Sequence, residues 1–221
     1  MQELSSYSQY LEFIAIVIGF LRYKEIKDFK FKYVLFFLIY VFITEIFAGV
    51  CYDLFGFVNT PVYNVYVLVN FAFFIAWYHS VLKSLIRKRI IKILFLFYVS
   101  FWLIDAVFLE QFLVDYLTYS FSLGTLFLIV SVSFYFIEML NREVVMHITK
   151  SPYFWVSFGI LVYCVTFLPF YITYLFFLQE NPIILSIVLF LINCIQYCCF
   201  AIAFVRADRF TIEHPVDNNS L

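Results

Sequence analysis

The chain is a succession of long apolar stretches separated by short polar segments. A helix that crosses a lipid bilayer needs about 20 mostly apolar residues, and seven stretches fit that requirement. They run approximately 4–21, 33–54, 61–82, 90–109, 116–140, 153–177 and 182–205. The pattern therefore predicts an all-α membrane protein, a seven-transmembrane-helix bundle that forms one domain over 1–205. The remaining residues, 206–221, are polar, and we expect a short, disordered tail.

Basic residues occur only at every second break between these stretches. All 14 Lys and Arg residues fall into four groups, which are Arg22 to Lys32, Lys83 to Lys92, Arg142 to Lys150, and Arg206 to Arg209. Because loops rich in Lys and Arg stay in the cytoplasm, each group marks an inner surface. With seven helices, this alternation predicts that the N-terminus lies outside and that the C-terminus is cytoplasmic.

Composition supports a membrane location. Apolar residues make up 65% of the chain and charged residues 13%, whereas a soluble domain has about half and about a quarter. The lipid bilayer is the expected partner, and the basic groups are expected to contact anionic lipid and not nucleic acid. A cytoplasmic protein partner would dock on the 141–152 loop or on the tail. The short loops and the lack of a basic n-region before the first stretch favour a retained first helix in a bacterial inner (cytoplasmic) membrane.

The sequence offers no pattern for a metal, a cofactor or a common catalytic site. The five cysteines lie mostly within apolar stretches. Cys194 and Cys198 share a helical face, but no His or acid adjoins them, so we interpret them as small buried residues and not as metal ligands. The zinc-protease, serine-hydrolase and phosphate-loop motifs are absent, and the seventh stretch has no Lys for a Schiff base.

Three acidic residues, Glu12, Glu45 and Asp105, lie inside apolar stretches. A charged side chain within a membrane costs several kcal/mol unless it is paired or neutralised. Counting from the predicted helix ends at about 1.5 Å per residue, all three lie in the outer half of the bundle, where the charge pattern puts no Lys or Arg. These carboxyl groups should therefore be protonated, bind something positive, or stay hydrated in a water-filled vestibule.

Polar and aromatic residues on neighbouring faces complete a predicted pocket. Asn70 and Tyr66 lie on the third helix, Tyr163 on the sixth and Asn193 on the seventh. Their phenol and amide groups suit a protonated carboxyl or an organic ligand. An alternative interpretation remains open, because 24% of the residues are aromatic and Asn side chains often join membrane helices. Glu138 is interpreted separately, as an ordinary i,i+4 partner of Arg142.

Three short segments carry a resemblance to known proteins. They are Ser151–Tyr163 (SPYFWVSFGILVY), Val62–Tyr66 (VYNVY) and Asn193–Tyr197 (NCIQY). With the helix pattern around them, they resemble a group of small, uncharacterised bacterial seven-helix membrane proteins. The resemblance covers most of the chain and implies the fold, but no activity.

Three functions are compatible with these features. The first is a receptor or sensor whose outward-facing polar pocket binds a small neutral or cationic ligand at Glu12, Glu45, Asp105, Asn70, Tyr66, Asn193 and Tyr163. The second is a small secondary carrier, proton-coupled through Glu45 or Asp105 and hinged at Pro169. The third is an intramembrane hydrolase that uses two acids as acid and base. We rank the sensor first because the polar groups concentrate towards the outside, whereas a transport route needs polarity along its whole length.

Overall fold

The computed structural model describes residues 2–26, 30, 32–55, 59–141, 145–173 and 182–213. Its elements run in chain order as follows: α1 (Gln2–Leu21), α2 (Tyr23–Ile26), α3 (Lys32–Phe55), α4 (Thr60–Val81), α5 (Leu85–Ile104), a π-helical turn (Asp105–Leu109), α6 (Thr118–Leu140), a 3-10 helix (Val145–Lys150), α7 (Pro152–Thr173) and α8 (Pro182–Glu213). The predicted all-α class is therefore confirmed for the part of the chain that is described.

Six of the described helices are long and apolar enough to cross a membrane. These spans are Lys32–Cys51, Thr60–Val81, Leu85–Leu109, Thr118–Leu140, Pro152–Thr173 and Ser186–Ala207. Large apolar side chains on α5, including Ile93 and Phe97, are more than half exposed, as expected for a surface that faces lipid. The chain is thus an integral, multi-pass membrane protein.

The first predicted span behaves differently from the other six. Its helix, α1, is present, but the apolar part covers only Ser8–Leu21. At about 1.5 Å per residue this segment is about 21 Å long, shorter than a hydrocarbon core of about 30 Å. The count of seven membrane-spanning helices and the sides on which the two ends lie therefore stay predictions.

Several helix boundaries differ from those expected. The α5 helix begins at Leu85 instead of near residue 90, because Arg and Lys are good helix formers and the basic turn is helical. The α8 helix continues to Glu213, so the first part of the predicted tail, 206–213, is helical, while 214–221 lies outside the described residues. Helix α7 continues through Pro169 to Thr173.

The chain divides into two compact units, one made of Met1–Leu38 and Asn141–Leu221 and the other of Ile39–Leu140. In the first unit, α8 packs against α1, α2 and α7. Small residues allow the closest approaches, since a Cβ added at Gly19 would lie 2.6 Å from Leu35 Cδ1. Likewise, a Cβ at Gly159 would lie 2.9 Å from Cys199 Cβ.

In the second unit, α4, α5 and α6 pack against one another. Their shared core is aromatic: the Phe71 ring lies edge-on to Tyr98 and Phe121, with centroid distances of 5.7 Å and 5.5 Å. Gly124 of α6 makes room for this layer, because an added Cβ would lie 2.5 Å from Phe71 Cδ2. We call the end of α4–α6 that holds the connection 110–117 the acidic end, and the end that holds Lys83 to Lys92 the basic end.

Candidate functional site at the acidic end of the second unit

The seven residues of the predicted pocket fall in both units. Glu12, Tyr163 and Asn193 belong to the first unit, and Glu45, Tyr66, Asn70 and Asp105 belong to the second. The two sets are therefore described separately, and a single pocket made of all seven residues stays a prediction.

In the first unit, the predicted residues lie on α1, α7 and α8. Glu12 is fully buried at 0% exposure, as expected for an acid within an apolar helix. Tyr163 is half-buried and stacks on Phe167, with ring centroids 5.4 Å apart. Asn193 is half-buried on α8. Burial of Glu12 keeps it a candidate for a neutral or paired carboxyl group.

Asp105 lies where α5 changes into the π-helical turn. The backbone N–H of Glu110 donates to the Asp105 carbonyl oxygen over 3.0 Å, which is the i to i+5 bond of a π turn. In an α-helix, residues five apart lie about 140° apart around the axis. The wider turn brings them towards the same face, and π turns are often found at functional sites. The local backbone thus places Asp105 and Glu110 together.

The Asp105 side chain is fully buried and bonds to the start of α6. Its Oδ2 atom accepts hydrogen bonds from the Ser120 backbone N–H, at 2.8 Å, and from the Ser120 hydroxyl. Because the first N–H groups of a helix lack partners within the helix and attract negative charge, this carboxylate stabilises the α6 N-terminus. The other oxygen, Oδ1, is buried and accepts no N–H or O–H hydrogen bond from any described residue.

Glu110 supplies a second carboxyl group at the same place. Its carboxyl group lies beside the Asp105 carboxyl and close to the backbone N–H groups of Tyr119 and Thr118. Burial raises the pKa of Glu110, the neighbouring Asp105 charge raises it further, and the two N–H groups lower it. Its Oε2 atom is buried and has no N–H or O–H donor among the described residues. Glu110 therefore holds its proton more tightly than an exposed glutamate does.

Asn64 of α4 holds the connection 110–117 in place. Its Nδ2 group donates to the carbonyl oxygens of Phe112 and Asp115, both at 2.8 Å, and its Oδ1 accepts the Leu117 N–H at 3.1 Å. Trp102 Nε1–H donates to the Asn64 carbonyl oxygen at 3.2 Å. One buried side chain thus forms hydrogen bonds with three backbone groups that have no partner within a helix.

Glu45 and two tyrosines lie at the same end of the second unit. The Glu45 carboxylate acts electrostatically on the Tyr63 phenol, and the Tyr63 ring packs against Tyr116 with centroids 6.4 Å apart. Tyr66 and Asn70, the remaining predicted residues, are half-buried on α4. Of the predicted set, Glu45 and Asp105 therefore belong to the acidic end, joined by residues that the prediction did not include.

A third carboxylate ties α5 and α6 together at the basic end. Glu138 accepts the backbone N–H groups of Lys83 and Ser84, at 2.8 Å and 2.9 Å, and lies 3.5 Å from Arg87 Nη1. The partner expected from the sequence, Arg142, lies outside the described residues. Glu138 therefore caps the N-terminus of α5, and its predicted pairing with Arg142 stays a prediction.

The described side chains form no group suited to a metal ion. No set of three or more His, Cys, Asp or Glu residues in that part of the chain could hold one. Cys164 and Cys199 are buried, whereas Cys194 is half-buried and Cys198 is exposed. The chemistry of the acidic end is therefore that of carboxyl groups, phenols and backbone N–H groups.

Glu110 and Asn64 are the two residues of this site that sequence reasoning did not select. Glu110 lies just beyond the predicted stretch 90–109. Residues five apart do not share a face of an α-helix, so the sequence pattern does not place Glu110 beside Asp105. Asn64 lies among aromatic residues at the start of its helix, and its function depends on a segment about 50 positions later. The signal available in the sequence was the pair of acids at 105 and 110, which comes shortly before the polar start of the next predicted helix.

Comparisons with protein-family models, curated proteins and solved structures find no match to this chain. A functional assignment accordingly rests on the geometry of the acidic end and on the multi-pass membrane architecture, which together are the basis of the proposals below.

Proposed function

We propose that this multi-pass membrane protein is a receptor or sensor that binds a small cationic or neutral ligand at the acidic end of its second unit. The observation that carries this proposal is a concentration of carboxyl groups beside aromatic rings, at an end without a basic residue. Glu45, Asp105 and Glu110 lie there, whereas residues 33–82 and 93–141 contain no Lys or Arg.

Electrostatics favours a positive ligand at this end. Charges that are partly shielded from water interact several times more strongly than charges in bulk solvent, and the sequence of the second unit places no Lys or Arg at this end. The Tyr63 and Tyr116 rings offer the faces that attract organic cations. Because the basic end should be cytoplasmic, the acidic end should face outwards, where a sensor meets its ligand.

The packing between the two ends favours a sensor over a carrier. Phe71, Tyr98 and Leu128 are almost completely buried between α4, α5 and α6, and together they fill the middle of the unit with apolar and aromatic groups. The hydrolase alternative needs two carboxyl groups about 5–9 Å apart around a water molecule. The Glu110 and Asp105 carboxyl groups lie directly beside each other, which favours proton sharing instead.

Ligand binding to the purified full chain in lipid nanodiscs tests this proposal. A panel of primary amines, quaternary ammonium compounds and neutral polar molecules would be screened by thermal shift and by tryptophan fluorescence, since Trp102 lies beside the site. We expect a cationic member of the panel to raise the unfolding temperature. Glu45→Gln should remove that shift because it deletes a charge without changing the shape of the side chain.

Glu25→Gln is the matched control. Glu25 lies on α2, where it forms an ion pair of 3.7 Å with Arg22, and it belongs to the first unit. The control variant should keep the ligand-induced shift. The proposal is wrong if no compound shifts the wild-type protein, or if Glu45→Gln responds as strongly as the control.

A further inference from the structure

We propose that Asp105 and Glu110 share one proton and form a proton-binding site that locks the connection between α5 and α6. This site goes beyond the proposed ligand site, because its occupant is a proton and its effect is on the 110–117 connection. It requires no other ligand.

The first argument is the arrangement of donors and acceptors. Asp105 is completely buried, and its Oδ1 accepts no N–H or O–H from the described residues. Glu110 Oε2 is in the same situation, and the two carboxyl groups lie beside each other. Ionised carboxylates are acceptors only, so a hydrogen bond between these two groups forms only when one of them carries a proton.

The second argument assigns the proton to one partner. Asp105 Oδ2 accepts both a backbone N–H and a hydroxyl from Ser120, and bonds of this kind stabilise a negative charge. Glu110 is the better proton carrier, because burial and the Asp105 charge raise its pKa. In the proposed shared state, Glu110 therefore carries the proton and donates it to Asp105.

The third argument concerns the other charged and titratable groups that face the pair. Tyr98 on α5 donates its hydroxyl to the Val67 carbonyl oxygen at 3.1 Å, and Tyr119 on α6 is exposed. Asp115 in the connection accepts the Gln111 N–H at 3.2 Å and is exposed. On α4 the facing polar residue is the neutral Asn64.

None of these groups supplies a positive charge. The cationic side chains described in the second unit belong to the basic end, and no triad of metal-binding residues occurs in the described chain. Loss of the proton would therefore leave two negative charges beside each other, with N–H and hydroxyl donors but no cation to offset them, and their repulsion would act on the π turn that holds both. The connection 110–117 should loosen as the pair ionises.

Infrared difference spectroscopy with hydrogen–deuterium exchange tests the shared proton directly in the wild-type chain. We expect the wild-type spectrum to contain a protonated carboxyl C=O band that shifts on deuteration, disappears as the pH rises, and is missing from the spectrum of Glu110→Gln. Asp115→Asn, the control with an exposed acid, should keep this band. Because Glu12 is also completely buried, the decisive spectrum is the difference between wild type and Glu110→Gln, and the absence of the band from that difference would overturn the proposal.

Hydrogen-exchange mass spectrometry of the segment 111–117 tests the lock. As the pH rises towards the raised pKa of Glu110, the protection factor of wild type should fall by up to about tenfold per pH unit, and above that pKa it should level off, as expected for release of a single proton on opening. Glu110→Gln should stay protected at every pH, because its amide N–H can replace the donated proton, whereas Glu110→Ala should be weakly protected throughout. A pH-independent wild type, or a dependence on sodium concentration at fixed pH, would contradict a proton as the occupant.

These measurements separate the two proposals. The infrared and exchange experiments contain no ligand, so the proton site can fail while a cationic compound still binds through Glu45. Equally, the proton site can be confirmed in a protein that responds to no member of the ligand panel.

Discussion

Replacing Asn64 with leucine tests the architecture of the acidic end, because this substitution keeps approximate size and removes every side-chain hydrogen bond. Asn64 is 1% exposed and makes two bonds of 2.8 Å and one of 3.1 Å to the connection. The bond from Trp102 goes to the Asn64 backbone and should survive. The variant therefore isolates what one amide contributes to the position of 110–117.

The magnitude follows from the three bonds. At about 1 kcal/mol of net stabilisation each, their loss would cost about 3 kcal/mol. Within membranes an interhelical bond averages about 0.6 kcal/mol, which lowers the estimate to about 2 kcal/mol. Leu117 is 2% exposed, so its N–H would be left buried without a partner, a cost of about 1–3 kcal/mol. We expect a total loss of about 3–5 kcal/mol.

Reversible unfolding in detergent micelles, followed by tryptophan fluorescence, measures this loss. Trp102 packs edge-on against Phe112 with centroids 5.9 Å apart, so its emission reports on the connection. Asn70→Leu is the control, since Asn70 is a half-buried residue of the same type on the same helix. A loss below about 0.5 kcal/mol for Asn64→Leu, or an equal loss for both variants, would refute this account of the connection.

Two further predictions concern helix packing and topology. Gly124→Ala should lower the stability by about 1–3 kcal/mol, because the new Cβ would overlap a core phenylalanine, whereas Gly49→Ala, with nothing within 4 Å, should raise it by up to about 1 kcal/mol; unfolding measurements that give both variants the same sign would contradict this. In a chain without its native cysteines, Gln111→Cys should react with an impermeant maleimide from outside the cell, and Arg89→Cys only after the membrane is opened. The reverse labelling would overturn the predicted orientation.

The spanning helices could be predicted because length and apolarity determine them. A run of about 20 apolar residues has few alternatives in a membrane, where every backbone group needs an internal partner. The starts of α7 and α8 are local features in the same way, since these helices begin at Pro152 and Pro182, where the missing N–H has no cost. The boundary of α5 was less predictable, because a basic helical turn at a membrane surface has the composition of a loop.

The candidate site was only partly predictable, for a different physical reason. Asp105 and Glu12 stood out because a carboxyl group in an apolar helix is expensive, and both are indeed completely buried. Glu110 is placed beside Asp105 only by the π turn. Asn64 joins the site only because it bonds to a connection that lies far along the chain. Local composition shows which groups are costly to bury, whereas their partners depend on the tertiary arrangement.

Asp105 and Glu138 show why a buried acid alone does not indicate function. Each lies at one end of the α5 and α6 pair, and each caps the N-terminus of the other helix. Glu138 is complete as a structural cap, because two N–H groups and Arg87 balance its charge. Asp105 has the donors of Ser120, but its remaining neighbour is another acid, Glu110. A cap needs only donors, and a second carboxyl group destabilises it unless a proton is bound. The missing cation is therefore what distinguishes the acidic end from the basic end.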